Sequence, residues 1–372
     1  MTRQHDRDRA FFETEFDDVT LTKLDIYARY IQEWLPVPLS GRMYVSEAVI
    51  YDLFCGPGTD SIGVSGSPLI AAEVIRNNQD NIKKSNVQVR LVLNDYLADH
   101  IDVLSASLGT TIVDEDGSPL ANVRYYSEPF EELLPNLIDE MNGKNANLLF
   151  IDQFGMTSVD EDVFRDLHSL KTTDVLFFIS SNWFRRFAGR PEAANWTVTQ
   201  EEIMNIQYGH IHRFITDHFH RLVGDDYYVA PFSLKKGSNI YGLVFASHHH
   251  LGLKKFLEVA WKKDPHSGEA NFDIHKEGAG DQDQLVMFEA RKIDEFQVDL
   301  RQRILNCEFA TDSDIYLHML KNGFINRHAT PVVTKLSAKK GGLIEFRENG
   351  QRKQPRLSPS SMDNPRELVV FD

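Results

Sequence analysis

Two cysteines in 372 residues, Cys55 and Cys307, cannot supply a disulfide framework, which excludes the small stapled scaffolds of oxidising compartments. No apolar run approaches the length of a membrane span, and the opening MTRQHDRDRA is polar with no apolar signal core. These absences predict a soluble, cytoplasmic protein without membrane contact. Positive charge is also scarce: 40 Lys and Arg against 55 Asp and Glu leave a net charge of −15. That excludes wholesale adhesion to nucleic acid, so any such contact needs a local basic patch. No internal repeat is visible. What is present is a 42% hydrophobic chain, enough for a large core and, at this length, two domains.

A third glycine is missing as well. The segment YDLFCGPG at residues 51–58 reads as a buried strand running into a glycine-rich turn. Gly56 and Gly58 let the main chain take positive φ and approach a ligand closely. In α/β sheets such a corner, beyond the carboxyl end of the first strand, holds nucleotide-like cofactors. A dinucleotide site needs G-x-G-x-x-G/A opening directly into a helix that holds a pyrophosphate. Here the run continues Thr59-Asp60-Ser61. The next helix starts at Ser67-Pro68, a capping serine with proline in the first helical position, leaving residues 59–66 as a loop. This layout suits a cofactor without a pyrophosphate and favours S-adenosylmethionine over NAD. A glycine turn that binds nothing is the plain alternative, because lone glycine motifs are weak signals.

Apolar strands at 45–54, 87–93, 123–126, 146–151 and 174–180 alternate with helical periodicity at 22–35, 68–77, 97–108, 130–141 and 159–170. Fully apolar strands suit parallel pairing with both faces covered, and the alternation predicts an α/β, doubly wound, mostly parallel sheet. Strands at 227–234 and 241–247 are joined by residues 235–240 alone, which permits only a hairpin. A terminal antiparallel hairpin separates the class I methyltransferase type of sheet from the dinucleotide-binding one. Residues 1–263 are read as that domain, with an N-terminal helix, and the Gly- and Asp-rich stretch 264–284 as a linker. Helices at 285–305, 312–322 and 331–340, then strands at 343–347 and 351–357 about an Asn349-Gly350 turn, predict a winged helix over 285–357. The tail, 358–372, reads as disordered.

Candidate site residues follow from the strand ends. Asp95 closes the second strand, where a carboxylate accepts from both ribose hydroxyls or simply caps the next helix. Asp52 either fixes the turn or receives a methionine ammonium. With Phe54, Gly56 and Gly58, and with Ser127 and Glu128 at the third strand end where adenine is held, they form the candidate cofactor site. Asp152, Gln153 and Phe154 close the fourth strand and are the catalytic candidates. An oxygen there accepts a hydrogen bond from an amine, and the aromatic two residues on stacks on a base. The alternative is an ordinary strand-to-loop corner with Phe154 in the core.

Methylation of cytosine carbon 5 needs a cysteine nucleophile on the substrate side, and neither Cys55 nor Cys307 is so placed. His210, His212, His218 and His220 share one helix, but the close pairs are two apart and share no face, so no metal site is expected. Basic residues gather twice. Arg185, Arg186 and Arg190 follow the fifth strand. Residues 330–356 carry seven lysines and arginines, including Lys335, Lys339, Lys340 and Arg347, against two glutamates. Lys335 and Lys339 fall on one helix face, as nucleic-acid contacts would; a winged helix used for protein contact is the alternative.

KLDIYARYIQEWL at 23–35, YDLFCGPG at 51–58, GSPLIAAEVI at 66–75 and LLFIDQFGM at 148–156 resemble the three-Cys-motif partner (TcmP) proteins. These are bacterial proteins with a class I methyltransferase-like region and a C-terminal winged-helix-like region. The likeness spans most of residues 20–260 and, more loosely, the C-terminal module. It implies a partner, a three-Cys-motif protein itself similar to radical S-adenosylmethionine enzymes, but no established reaction. Gln153 stands where these proteins tend to have proline, so the rigid amine-shaping loop of amino-methylating enzymes is not matched. The expectation is an S-adenosylmethionine-dependent methyltransferase acting on nucleic acid or a nucleic-acid-associated partner. The alternative is a non-catalytic, cofactor-binding adaptor that docks a partner through its winged helix.

Overall fold

The strand–helix alternation folds as one large sheet with helices on its faces. The computed structural model describes residues 12–153, 158–187, 190, 195–206, 210–236, 239–271, 282–338 and 341–371. It divides into two units, Met1–His248 and His249–Asp372.

The first unit runs α1 (Asp18–Trp34), α2 (Pro36–Leu39), β1 (Glu47–Asp52), α3 (Ser67–Asn77), α4 (Gln79–Lys84), β2 (Gln88–Asn94) and α5 (Ala98–Leu108). It continues through β3 (Thr111–Val113), β4 (Pro119–Tyr126), α6 (Phe130–Met141), β5 (Asn145–Ile151), α7 (Glu161–Ser169) and β6 (Thr173–Ser180). It closes with α8 (Ser181–Phe187), α9 (Gln200–Met204), α10 (Ile211–Val223), β7 (Tyr228–Lys236) and β8 (Asn239–Ser247). Among the described residues the strands are ordered β3-β4-β2-β1-β5-β6-β8-β7.

Neighbours from β4 to β6 pair in parallel, whereas β8 is antiparallel to both β6 and β7. The unit is therefore mixed α/β with a mostly parallel sheet closed by the expected hairpin, consistent with a methyltransferase fold. One strand was not anticipated: β3 turns back on β4 through Asp114, whose carboxylate accepts the Asp116 and Ser118 N–H groups.

Every residue of β5 is buried, as parallel strands covered on both faces require. Leu133, Leu137 and Met141 of α6 join Val49, Tyr51, Leu149, Phe164, Phe177 and Phe219 in one core, where Phe164 stacks on Phe219 at 4.1 Å. Each such side chain contributes about 1.5–3 kcal/mol by leaving water. Helix α1 starts on Asp17, whose carboxylate accepts the Thr20 N–H at 2.8 Å. Ser67 is not the cap of α3. Gly66 holds that position without a side-chain cap, and Ser67 and Pro68 form the first turn, because the Gly66 N–H is already committed to the Gly58 carbonyl across the loop.

The second unit comprises α11 (His250–Lys263), α12 (Gln282–Leu305), α13 (Asp312–Lys321), α14 (Asn326–Leu336), β9 (Ile344–Glu348), β10 (Gln351–Lys353), α15 (Pro359–Asp363) and β11 (Glu367–Val370). Helix α11, placed by the sequence reading before the linker, belongs to this unit. Of the linker, residues 272–281 lie outside the described residues. Its described part is tied by Asp264, which accepts from the backbone of His266, Ser267, Glu269 and Ala270.

Phe296 stacks on Phe324 at 3.9 Å and Trp261 donates to the Gly323 carbonyl, so α11, α12 and the α13–α14 turn share one core. Asn349 and Gly350, both at positive φ, close the β9–β10 hairpin as expected.

Two expectations fail here. Helix α14 starts at Asn326, not at Pro331, because the His328 ring accepts the Ile325 N–H and caps the helix earlier. The tail is not disordered: α15 forms and β11 pairs antiparallel with β9. Burial of Leu368 beside Phe346 and Ile344 explains why a polar-looking stretch holds a strand.

Candidate functional site

Parallel pairing decides which residues meet. Asp52 at the end of β1 lies level with Leu93 of β2 and Phe150 of β5, so Asp95 and Asp152, each two residues further on, reach the same sheet edge. Glu128 follows β4 at that edge. One edge thus gathers most of the sequence-derived candidates.

Asp52 is fully buried, and neither carboxylate oxygen has a hydrogen-bond partner of good geometry among the described residues. Burial pushes its carboxyl up to about 7; the nearby Ser67 hydroxyl and Phe54 N–H oppose this, while the Asp152 and Asp95 carboxylates add to it. Such a group is satisfied best by a cationic partner. Phe54 stacks on Phe130 at 5.3 Å and is half-buried at the rim.

The glycine turn is held by Asp95. One of its oxygens accepts the Gly56 N–H at 3.0 Å, and the other accepts the Leu97 N–H at 2.9 Å and stands 3.3 Å from His100 Nδ1. The Leu97 bond, just ahead of α5, matches the capping reading of Asp95, and the Gly56 bond adds a role the sequence assigned to Asp52, bracing the turn. Gly56 and Gly58 stand at φ +60° and +101°, so both need glycine.

Asn94, not singled out in the sequence, links three strand ends. Its amide donates to the Leu53 and Glu128 carbonyls and its oxygen accepts the Glu128 N–H. Ser127 is exposed and Glu128 half-buried.

Asp152 does not stand alone. Lys23 of α1 forms an ion pair with it, and both side chains are largely buried. The Lys23 ammonium also lies 5.0 Å from the centre of the Phe178 ring. One helical turn on, Tyr27 is buried against Phe150 at 4.1 Å, and its hydroxyl has no hydrogen-bond partner among the described residues. Burial, with Asp52 and Cys55 nearby, raises the Tyr27 hydroxyl well above its usual range.

Tyr27 falls within the helical periodicity of residues 22–35, and Lys23 is not among the candidate site residues read from the sequence. The available signal was a lysine in that helix, at i,i+4 from the tyrosine. Gln153 donates to the Phe178 carbonyl at 3.5 Å and accepts the Ser158 N–H. Phe154 lies outside the described residues.

Of the basic candidates, Arg185 donates to the Ile206 carbonyl at 3.2 Å, and Arg186 is exposed. In the second unit Lys335 is exposed, Arg347 pairs with Glu345 at 2.7 Å, and Lys339 and Lys340 lie outside the described residues.

His212 is fully buried, and His218 bonds Glu161 at 2.8 Å. Burial alone would raise Glu161, but donors from Thr197 and His218 hold it below its usual value. His168, Asp226 and His248 bring ligand-type atoms within 4.8 Å of one another. Lys171 Nζ stands 3.5 Å from His248 Nε2, and the His168 carbonyl lies 2.6 Å from the same nitrogen. An ammonium beside the donor atom opposes a cation, and the trio is better described as a hydrogen-bonded cluster.

No described helix is long and apolar enough to cross a membrane. No family model matches the chain, and neither does any curated protein. Among solved structures, the methyltransferase domains of bacterial CtHen1-C and CtHen1-CN are similar over 59% of this chain and 98% of theirs, at 11% identity. Their TM-scores are 0.28 and 0.29, too low to add to what the sheet order states by itself.

Proposed function

We propose that the chain is an S-adenosylmethionine-dependent methyltransferase-like protein acting on nucleic acid or a nucleic-acid-associated partner. The observation that carries this reading is Asp52: a fully buried carboxylate with no hydrogen-bond partner of good geometry among the described residues, at the carboxyl end of the central strand, beside a turn of two positive-φ glycines. A cationic ligand that also needs close main-chain approach fits that pairing, and S-adenosylmethionine is such a ligand. Asp52 would hold the ammonium, the Gly56–Gly58 turn would flank the ligand, and Asp95, already bracing the turn, would keep its remaining lone pairs for ribose hydroxyls. When bound, the cofactor supplies an electrophilic methyl group. Asp152 would accept a hydrogen bond from the acceptor and direct it.

Calorimetric titration with S-adenosylmethionine and S-adenosylhomocysteine tests the reading. Micromolar affinity, about −8 kcal/mol, is expected for the wild type and at least a tenfold loss in Asp95→Ala. Absence of binding both by the wild type and by variants truncated at the residues that cover the turn would overturn it.

A second reading, a non-catalytic adaptor, is favoured by one feature. Asp152 and Gln153 are both engaged within the chain, to Lys23 and to Ser158 and Phe178. Cofactor binding with no methyl transfer to any nucleic-acid pool would select it. The three-Cys-motif protein implied by the resemblance would then be the partner.

In either case α12–α14 with the β9–β10 hairpin are read as a winged helix. Phosphate contact by Lys335, exposed on α14, predicts affinity for nucleic acid that falls with salt, with a slope reduced by about one in Lys335→Ala. Affinity indifferent to salt would point to a protein partner instead.

A further inference from the structure

The face of the glycine turn is already covered by the chain itself. A Cβ placed on Gly56 would lie 2.2–2.8 Å from three atoms of the Phe12 ring, so that ring rests directly on the Gly56 main chain. Phe12 also meets His100 edge-on at 5.2 Å and Phe16 at 6.3 Å. His100 in turn touches Asp95, the residue that braces the turn.

The segment is tied down beside the loop. The Phe16 N–H donates to Asp60 at 2.9 Å, and the Ser61 N–H donates to the Thr14 carbonyl at 3.4 Å. Asp60 accepts from Ile62 and Val64 as well, so one carboxylate holds both the loop and the strap. Burial would raise Asp60, but these N–H donors overcome it and keep the group below its usual value, ionised and accepting.

Glycine at position 56 is required by its φ of +60°, and close approach by a ligand is what such a glycine permits. Here that approach is taken by an aromatic ring from the N-terminal segment.

We propose that residues 12–16 form a strap over the ligand-binding face of the turn, and that Phe12 holds the position the ligand takes and must leave for it to bind. The proposal rests on the cofactor reading above. A ligand then meets only the open fraction of molecules, and its apparent affinity is lowered by that fraction. The strap leads into α1, the helix that carries Lys23 to Asp152, so its opening and the acceptor side of the site lie on one continuous segment.

The test is calorimetric titration of the full chain with S-adenosylhomocysteine. Phe12→Ala is expected to tighten binding about tenfold, the scale of one lost aromatic contact, with Phe12→Leu falling between it and the wild type. Binding by Phe12→Ala where the wild type shows none would support the strap still more strongly. Binding by the wild type with equal or weaker binding in both variants overturns the strap and leaves the cofactor site standing. Binding by none of the three, with each variant melting as the wild type does, overturns the cofactor reading and the strap with it.

Discussion

Asp52→Asn is expected to stabilise the free protein at pH 8 by up to about 4 kcal/mol while weakening its hold on a cationic ligand. The Asp52 carboxyl is displaced from 3.8 to about 7 by burial, and a displacement of that size is worth about 4 kcal/mol. As pH rises from about 4, the unfolded chain releases this proton first and the native chain keeps it. The native state therefore binds more protons across that window, and stability falls with rising pH until both states are ionised. Asparagine does not titrate, so the gain over wild type should be near zero at pH 4, grow to pH 7 and then level.

Urea unfolding at pH 5 and pH 8 reads it directly. An equal difference at both pH values would mean that Asp52 is ionised and paired throughout. With S-adenosylmethionine the sign reverses. Binding to the ionised form releases a proton, so affinity should rise with pH up to about 7. Asp52→Asn should lose about 10- to 100-fold, the worth of a hydrogen bond to a charged group. A substitution that stabilises the fold and weakens the ligand marks strain kept for binding rather than for structure.

Lys23→Met is expected to cost about 3–5 kcal/mol, because it leaves the Asp152 carboxylate buried without its counter-charge. Asp152→Asn should cost a similar amount by stranding the ammonium over Phe178. The double variant should recover most of the loss, since two apolar or neutral groups in that space carry no desolvation debt. A four-member urea-unfolding cycle measures the coupling. Simple addition of the two losses would show that the pair is incidental to the fold. On the proposed reading, in which Asp152 directs the acceptor, methyl transfer is expected to fall in all three variants.

Much of the architecture could be read from particular residues. The apolar runs at 146–151 and 174–180 could be satisfied only by strands covered on both sides, and they are. The short connection at 235–240 could only be a hairpin, and it is. Asn349-Gly350 named its own turn. These readings succeed because they depend on local geometry and on burial of contiguous side chains. Misreadings came where a distant group displaced a local preference. His328 capped α14 ahead of Pro331. Leu368 found a place beside Phe346 and drew the tail into the sheet.

By itself, then, the sequence determined the periodicities, the parallel sheet with its closing hairpin, and the carboxylates and glycines at the strand ends, all of which follow from neighbours along the chain. Only the tertiary structure decided how those carboxylates are used. It left Asp52 without a hydrogen-bond partner of good geometry among the described residues, spent Asp95 on the Gly56 and Leu97 N–H groups, and paired Asp152 with Lys23. It also laid Phe12 on Gly56 across 44 residues of chain. The physical reason is that the state of a buried charge is set by whatever fills the few ångströms around it, and those neighbours come from segments whose meeting no local pattern records.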